Sequence, residues 1–168
     1  MPAQSETPAQ FLDLQGHPVV VSFLAMEYYG VMFNRSYAVI ATKKAVCGAK
    51  VFGTVASPRG VLGAFKWRDP RNFIDRKTRE KYHSIDPESP AFLQINKDNF
   101  QIATDTISAI GFSSKKKLSM GGVPHSGSLI IHLVDGHKRE LILLGDQNGP
   151  EIERLMLGIC ASANRVTV

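Results

Sequence analysis

The sequence has only two cysteines, Cys47 and Cys160, and no CxxC pair or Cys/His cluster. That excludes a disulfide-dense scaffold and a zinc site of familiar spacing. Spacing alone leaves a Cys47–Cys160 bond open, but each lies in an apolar pattern, where free Cys behaves as a small hydrophobe. Long hydrophobic runs are also missing. The longest, Pro18 to Met26, is broken at Glu27, whereas a bilayer-crossing helix needs about 20 apolar residues. Residues 1–10, MPAQSETPAQ, lack the basic start and apolar run of a secretory leader and read as a disordered tail. The expectation is a soluble chain in the reducing cytoplasm.

Catalytic signatures are absent as well. No serine sits in GxSxG, and His17, His83, His125, His132 and His137 show no HExxH spacing. His125 falls in a flexible glycine loop. His132 alternates with Ile131 and Leu133 and should face the polar side of a strand. The glycine-rich stretch 121–127 lacks the P-loop Lys-Ser/Thr ending and leads into a strand, whereas phosphate cradles lead into a helix. Asp98 and Asp105 read as turn residues rather than a catalytic pair. No enzyme, metal or cofactor is expected.

What is present is an ordinary globular composition, 43% hydrophobic and 21% charged over 168 residues. That is enough for one domain with its own core, spanning 11–168. Residues 17–33 are rich in Val, Phe, Tyr and Met and read as one long or two short strands, with Gly30 a bend. Asn34-Arg35-Ser36 reads as a turn. Strands at 37–42 and 45–52 flank Lys43-Lys44, which suggests a hairpin, although Lys-Lys is poor chemistry for a primed turn. After Asn99 the apolar positions Phe100, Ile102, Ile107, Ile110 and Phe112 restore the strand pattern. Strands 128–134 and 139–144 are joined by Asp135-Gly136, a hairpin turn in which Gly accepts positive φ. Pro150 suits the first helical position, and Glu151 and Glu153 favour the helix dipole. Ile152, Leu155, Met156, Ile159, Cys160 and Ala163 then form one apolar helix face.

The interval 53–98 breaks this pattern with Gly53, Pro58, Gly60, Gly63, Pro70, Pro87 and Pro90. A short helix is predicted over 72–82, with Asp75 and Arg79 as an i,i+4 pair. Charge concentrates here. The net charge is +5, and residues 59–81 hold eight cations against three acids, so the rest of the chain is neutral. The segment is expected to form an exposed excursion that folding can spare, since long insertions cost only about 0.6 kcal/mol per doubling of length.

The run Ser36-Tyr-Ala-Val-Ile-Ala-Thr-Lys-Lys-Ala-Val-Cys-Gly-Ala-Lys50 resembles a segment of prokaryotic pleckstrin-homology-like domains: a strand ending in Thr, a basic pair, then a strand carrying Gly. The later chain is similar too, with Ile107-Ser-Ala-Ile110, a Gly-Ser-Leu-Ile-Ile strand, an Asp-Gly turn and a closing helix. The resemblance covers residues 17–52 and 99–164 and leaves out the insertion 53–98. It implies a mainly β fold, an antiparallel barrel of about seven strands in two near-orthogonal sheets, one end plugged by the helix. It also implies a non-enzymatic module that binds lipids, peptides or proteins, or serves as a scaffold. The basic residues of the best-known phosphoinositide motif do not carry over, because the corresponding turn holds Arg35 alone.

The candidate binding residues for an anionic partner are Arg59, Lys66, Arg68, Arg71, Arg76, Lys77, Arg79 and Lys81, with Lys115, Lys116 and Lys117 as a second basic spot. Interleaved Phe65, Trp67, Phe73 and Tyr82 would add stacking to phosphate contacts. The competing reading is a solvated loop whose aromatics pack back on the barrel. The partner is a protein, an anionic lipid surface or nucleic acid. A nucleic-acid binder using residues 59–81 and a small hydrolase with an unrecognised site are the alternatives. An edge strand such as Ser128 to Val134 would allow a homo-oligomer.

Overall fold

The computed structural model describes residues 18–28, 34–51, 68–74 and 76–168. The tail 1–10, Gly30, Arg59, Phe65, Lys66, Trp67 and Asp75 lie outside them. The strands are β1 (Val21–Tyr28), β2 (Asn34–Ala41), β3 (Ala45–Lys50), β4 (Phe100–Ala103), β5 (Ile107–Ser113), β6 (His125–Leu133), β7 (Lys138–Leu144) and β8 (Asn164–Arg165). The helices are α1 (Arg76–Tyr82), α2 (Pro90–Ile95) and α3 (Gly149–Ile159). The strands form one eight-stranded sheet in the order β4-β3-β2-β1-β7-β6-β5-β8. All pairs are antiparallel except β5 with β8.

The fold is mainly β with a C-terminal helix, as expected, but the ladder does not close. Its ends are β4 and β8, which do not pair with each other among the described residues. The expected edge strand at 128–134 is also corrected: β6 lies between β7 and β5. Asn34-Arg35-Ser36 is not a turn. It opens β2, with Arg35 opposite Glu27 and Ser36 opposite Met26. The continuous pairing with β1 and unbroken burial from Ser36 onward override the local turn preference.

The Lys43-Lys44 hairpin forms, and its unusual chemistry comes from Thr42. The Thr42 hydroxyl accepts from the amides of Lys44 and Ala45 at 3.1 Å each and donates to Glu88 Oε1 at 2.5 Å. The Asp135-Gly136 hairpin forms as read, with Gly136 at φ 86°. In α3, the Asn148 side chain accepts from the Glu151 amide and Pro150 occupies the first turn. Glu153 does more than favour the dipole. It is buried, accepts from the Phe112 amide at 3.0 Å and pairs with Arg165 at 3.0 Å.

The sheet is covered on both faces. On the inner face Phe23, Val39, Ile110, Leu129 and Leu141 pack with Ile152 and Met156 of α3 and with Cys160, which follows it. On the outer face Leu24, Met26, Ile40, Cys47, Ile142 and Leu144 pack beneath Ile74, Tyr82, Phe92, Met120 and Val123. That double burial is why β1 reads as a continuous apolar run rather than an alternating one. It also places the two cysteines in separate layers, free and buried.

The described part of 59–81 is largely exposed, as expected, at Arg68, Arg71, Arg76, Lys77, Arg79, Glu80 and Lys81, but Ile74 and Thr78, with Tyr82 just beyond, are buried against the outer face. A 3-10 turn (Pro70–Phe73) precedes α1, and the i,i+4 pair on α1 is Arg76–Glu80 at 2.6 Å. Thr78 and Tyr82 face inward, one turn apart, and α2 adds Phe92. Each position alone is a weak signal, but together with Ile74 they keep water from an apolar sheet face.

β1 and β7 share only two register pairs, Ala25 with Leu143 and Met26 with Ile142. Beyond them the Gln147 amide replaces a strand. Its Oε1 accepts from the Leu24 amide at 3.0 Å, and its Nε2 donates to the carbonyls of Leu24 at 2.7 Å and Leu144 at 2.6 Å. Removing a partner from a buried backbone group costs about 1–3 kcal/mol. Gln147→Ala is expected to lower unfolding free energy in urea by about 2–3 kcal/mol by the same reasoning. A loss below about 0.5 kcal/mol, the usual range for a surface substitution, would show that water replaces the amide at no cost.

Candidate functional site

The cations of the insertion are placed by what α1 buries. Because Thr78 and Tyr82 face the sheet, Arg76, Lys77, Arg79 and Lys81 are exposed. Two of the cations are matched locally. Arg71 forks onto Asp69 through Nε at 3.0 and 3.1 Å and a terminal nitrogen at 2.7 Å. That hydrogen bond holds the Asp69 carboxyl below its usual range. Arg76 pairs with Glu80, and Arg79 donates to the Arg71 carbonyl at 3.1 Å, tying the helix to the preceding turn. The Arg68 carbonyl accepts from the Asp146 amide at 2.7 Å.

The second basic spot is also fixed. The expectation of His125 in a flexible loop is corrected: it opens β6 and is buried. Its Nδ1 lies 3.0 Å from the Val123 carbonyl, and its Nε2 accepts from the Lys117 amide at 3.0 Å. The ring is therefore held as the Nδ1–H tautomer. The Lys116 ammonium donates to the His125 carbonyl, and Lys117 pairs with Glu140 at 2.5 Å. Met120 and Val123 then dip into the outer apolar layer.

Both basic segments are thus anchored in the same outer layer, 68–81 through Ile74 and Tyr82, and 115–117 through Met120 and Val123. A backbone relay joins them. Asp146 reaches the Arg68 carbonyl, and the neighbouring Gly145 amide donates to the Pro124 carbonyl at 2.8 Å. Of the candidate residues, Arg68, Arg71, Arg76, Lys77, Arg79 and Lys81 lie in one segment and Lys115, Lys116 and Lys117 in the other, while Arg59 and Lys66 lie outside the described residues. Of the interleaved aromatics, Tyr82 is a core residue, while Phe65, Trp67 and the Phe73 side chain lie outside what the structure describes.

Two charged clusters were not legible as sites. Glu27, 6% exposed, accepts from Arg139 Nε at 2.9 Å, and the Arg139 guanidinium lies 3.8 Å from the Phe100 ring centroid. A cavity of about 280 Å³ lies alongside, lined by Glu27, Tyr28, Lys117, Lys138, Arg139, Glu140 and Ile142. Strand parity carried a usable signal, since Glu27 and Arg139 share the face of Ala25 and Leu141. In the second cluster, Asp98 takes ion pairs from Lys50 and, at 3.3 Å, from Arg35. The Lys50 hydrogen bond holds its carboxyl below the usual range. Here the signal is missing, because 48 residues separate Lys50 from Asp98.

Among the described residues, no group of three or more His, Cys, Asp or Glu side chains is placed to hold a metal ion, and no helix is long and apolar enough to cross a membrane. His132 is half-buried on β6. What the arrangement offers chemically is fixed positive charge on an ordered layer. No protein-family model matches the chain, and no curated protein matches it.

Proposed function

We propose that the chain is a non-enzymatic binding or scaffold module of pleckstrin-homology-like fold whose outer layer meets an anionic partner. The strand order supports the fold reading. It sets β1–β4 on one side and β5–β7 on the other, joined across the short β1–β7 seam, with the terminal helix packed on the inner face. Two free, buried cysteines suit a cytoplasmic setting. One observation carries the functional reading: the two basic segments, distant in sequence, are anchored over the same sheet face. Fixed cations on an ordered surface attract polyanions in a salt-dependent way.

Retention on a sulfated polymer and on duplex DNA, titrated with salt, tests this. Wild type is expected to bind both at low salt. Lys77→Glu with Arg79→Glu should weaken binding about tenfold and lower the salt slope, since each lost phosphate contact removes about one unit from it. No binding at low salt up to tens of micromolar, roughly the weak end of non-specific association, would end the proposal. Strong preference for DNA over the polymer would instead favour the nucleic-acid alternative.

A further inference from the structure

Five large hydrophobic side chains are exposed among the described residues, and Leu118 stands apart at 99%. Tyr28, Leu93, Val134 and Val168 are 38%, 41%, 66% and 39% exposed. Leu118 follows Lys115-Lys116-Lys117 directly and starts a 3-10 turn at Leu118–Met120. The segment is held at both ends. Before Leu118, the Lys117 amide is bound by His125; after it, Met120 is buried and Gly121 turns the chain at φ 55°. The turn that presents Leu118 is therefore held in place from both sides.

We propose that residues 115–118 are a membrane-docking tip: Leu118 enters the acyl boundary of an anionic bilayer while Lys115 meets its headgroups and Lys116, held at the His125 carbonyl, adds positive charge beside it. This rests on the reading of an anionic partner and names its class. Lys117 positions the turn, because its ammonium is already paired with Glu140. The surroundings fit an interface. Tyr28 and Lys138 line the cavity that Lys117 also lines, which sets an exposed aromatic and a further cation beside the tip. On the other side, Leu118 borders an open hollow of about 510 Å³ with Lys116 and residues 121–125.

A lone projecting leucine flanked by lysines suits a bilayer better than a protein surface. A stable protein interface covers about 800 Å² per partner around a buried anchor. A bilayer needs no matching pocket: it takes an apolar side chain at any orientation and attracts cations through its negative surface. Because the turn is already ordered, binding does not have to restrict it further.

The test uses the full chain with Leu118→Cys carrying an environment-sensitive dye. Cys47 and Cys160 are buried, with thiols pushed up to about 12 and about 11, so the label goes to position 118. Phosphatidylcholine vesicles containing phosphatidylserine should blue-shift and brighten the dye, and phosphatidylcholine alone should not. Leu118→Ser in the unlabelled chain should lower sedimentation with the mixed vesicles about tenfold, and Lys115→Glu about fivefold. Leu118 is fully exposed, so Leu118→Ser is expected to leave folding unchanged, which circular dichroism checks. Cosedimentation without a dye shift, or unchanged by Leu118→Ser, overturns the insertion and leaves the anionic-partner reading standing. So does binding to sulfated polymer or DNA without vesicle binding. A dye shift with an acidic polypeptide but not with vesicles replaces the bilayer by a protein. Failure to bind any of these anions removes both proposals.

Discussion

Excising residues 59–81 and joining the ends with a short Gly/Ser bridge is expected to abolish cooperative unfolding. The deletion removes Ile74, 5% exposed, and Thr78, 3% exposed, and takes away the helix that holds Tyr82 at 1%. Leu24, Ile40, Cys47 and Ala49 would then meet water on the outer face. Loop closure is not the cause, since shortening a loop changes its entropy by about 0.6 kcal/mol per halving. The packing loss decides the outcome. Emptying one large buried site costs about 2–5 kcal/mol, and a domain has only about 5–15 kcal/mol in total. Thermal and urea unfolding read the transition, and a dye that binds exposed apolar surface reads the uncovered face. A cooperative melt within a few degrees of wild type would show that the cover is dispensable.

The second large effect belongs to Asn99. Its side chain is 8% exposed and connects three elements. The Asn99 Oδ1 accepts from the Lys50 amide at 2.8 Å and from the Tyr82 hydroxyl at 3.0 Å, while Nδ2 donates to the Phe92 carbonyl at 2.7 Å. The end of β3, the last residue of α1 and the middle of α2 are thus held by one amide. Asn99→Ala orphans the Lys50 amide and the Phe92 carbonyl and leaves the Tyr82 hydroxyl only the Lys50 carbonyl at 3.4 Å, and at about 1–3 kcal/mol for each lost partner the expected loss is about 4 kcal/mol. Asn99→Asp keeps the acceptor and loses the donor to Phe92, so it tests whether both roles matter. Tyr82→Phe should cost about 1 kcal/mol in wild type and far less in the Asn99→Ala background, because the pair is coupled. Additive losses would show that the hydroxyl and the amide act independently.

The inner half of the molecule was legible because its signals are long and mutually consistent. Asp135-Gly136 between two apolar runs marks a hairpin, and Asn148-Gly149-Pro150 ahead of a helical apolar stripe marks α3. The outer half was not. On α1 only Thr78 and Tyr82 are buried, and on α2 only Phe92. Such short stripes carry no periodicity that outweighs surrounding charge and proline. The needed clue lay in the strands themselves. Residues 21–27 and 36–41 are buried without alternation, so their sheet must be covered twice, and one C-terminal helix covers only one side. At the candidate site the cations were legible as residue types. Their ordering was not, because His125 pins Lys117 from inside a strand whose start a glycine-rich stretch concealed.

Gln147 has a consequence for behaviour at high concentration. The β1–β7 seam ends at Ala25 and Leu143, so the backbone of Leu24 on that side would be an edge inside the sheet, a slot into which another chain's strand could slide. The side-chain amide fills that slot with one donor and one acceptor already in strand geometry. It is too short to extend the ladder, and nothing further can zip onto it. A single glutamine therefore ends strand pairing where the sheet is least continuous and closes that slot to another chain's strand.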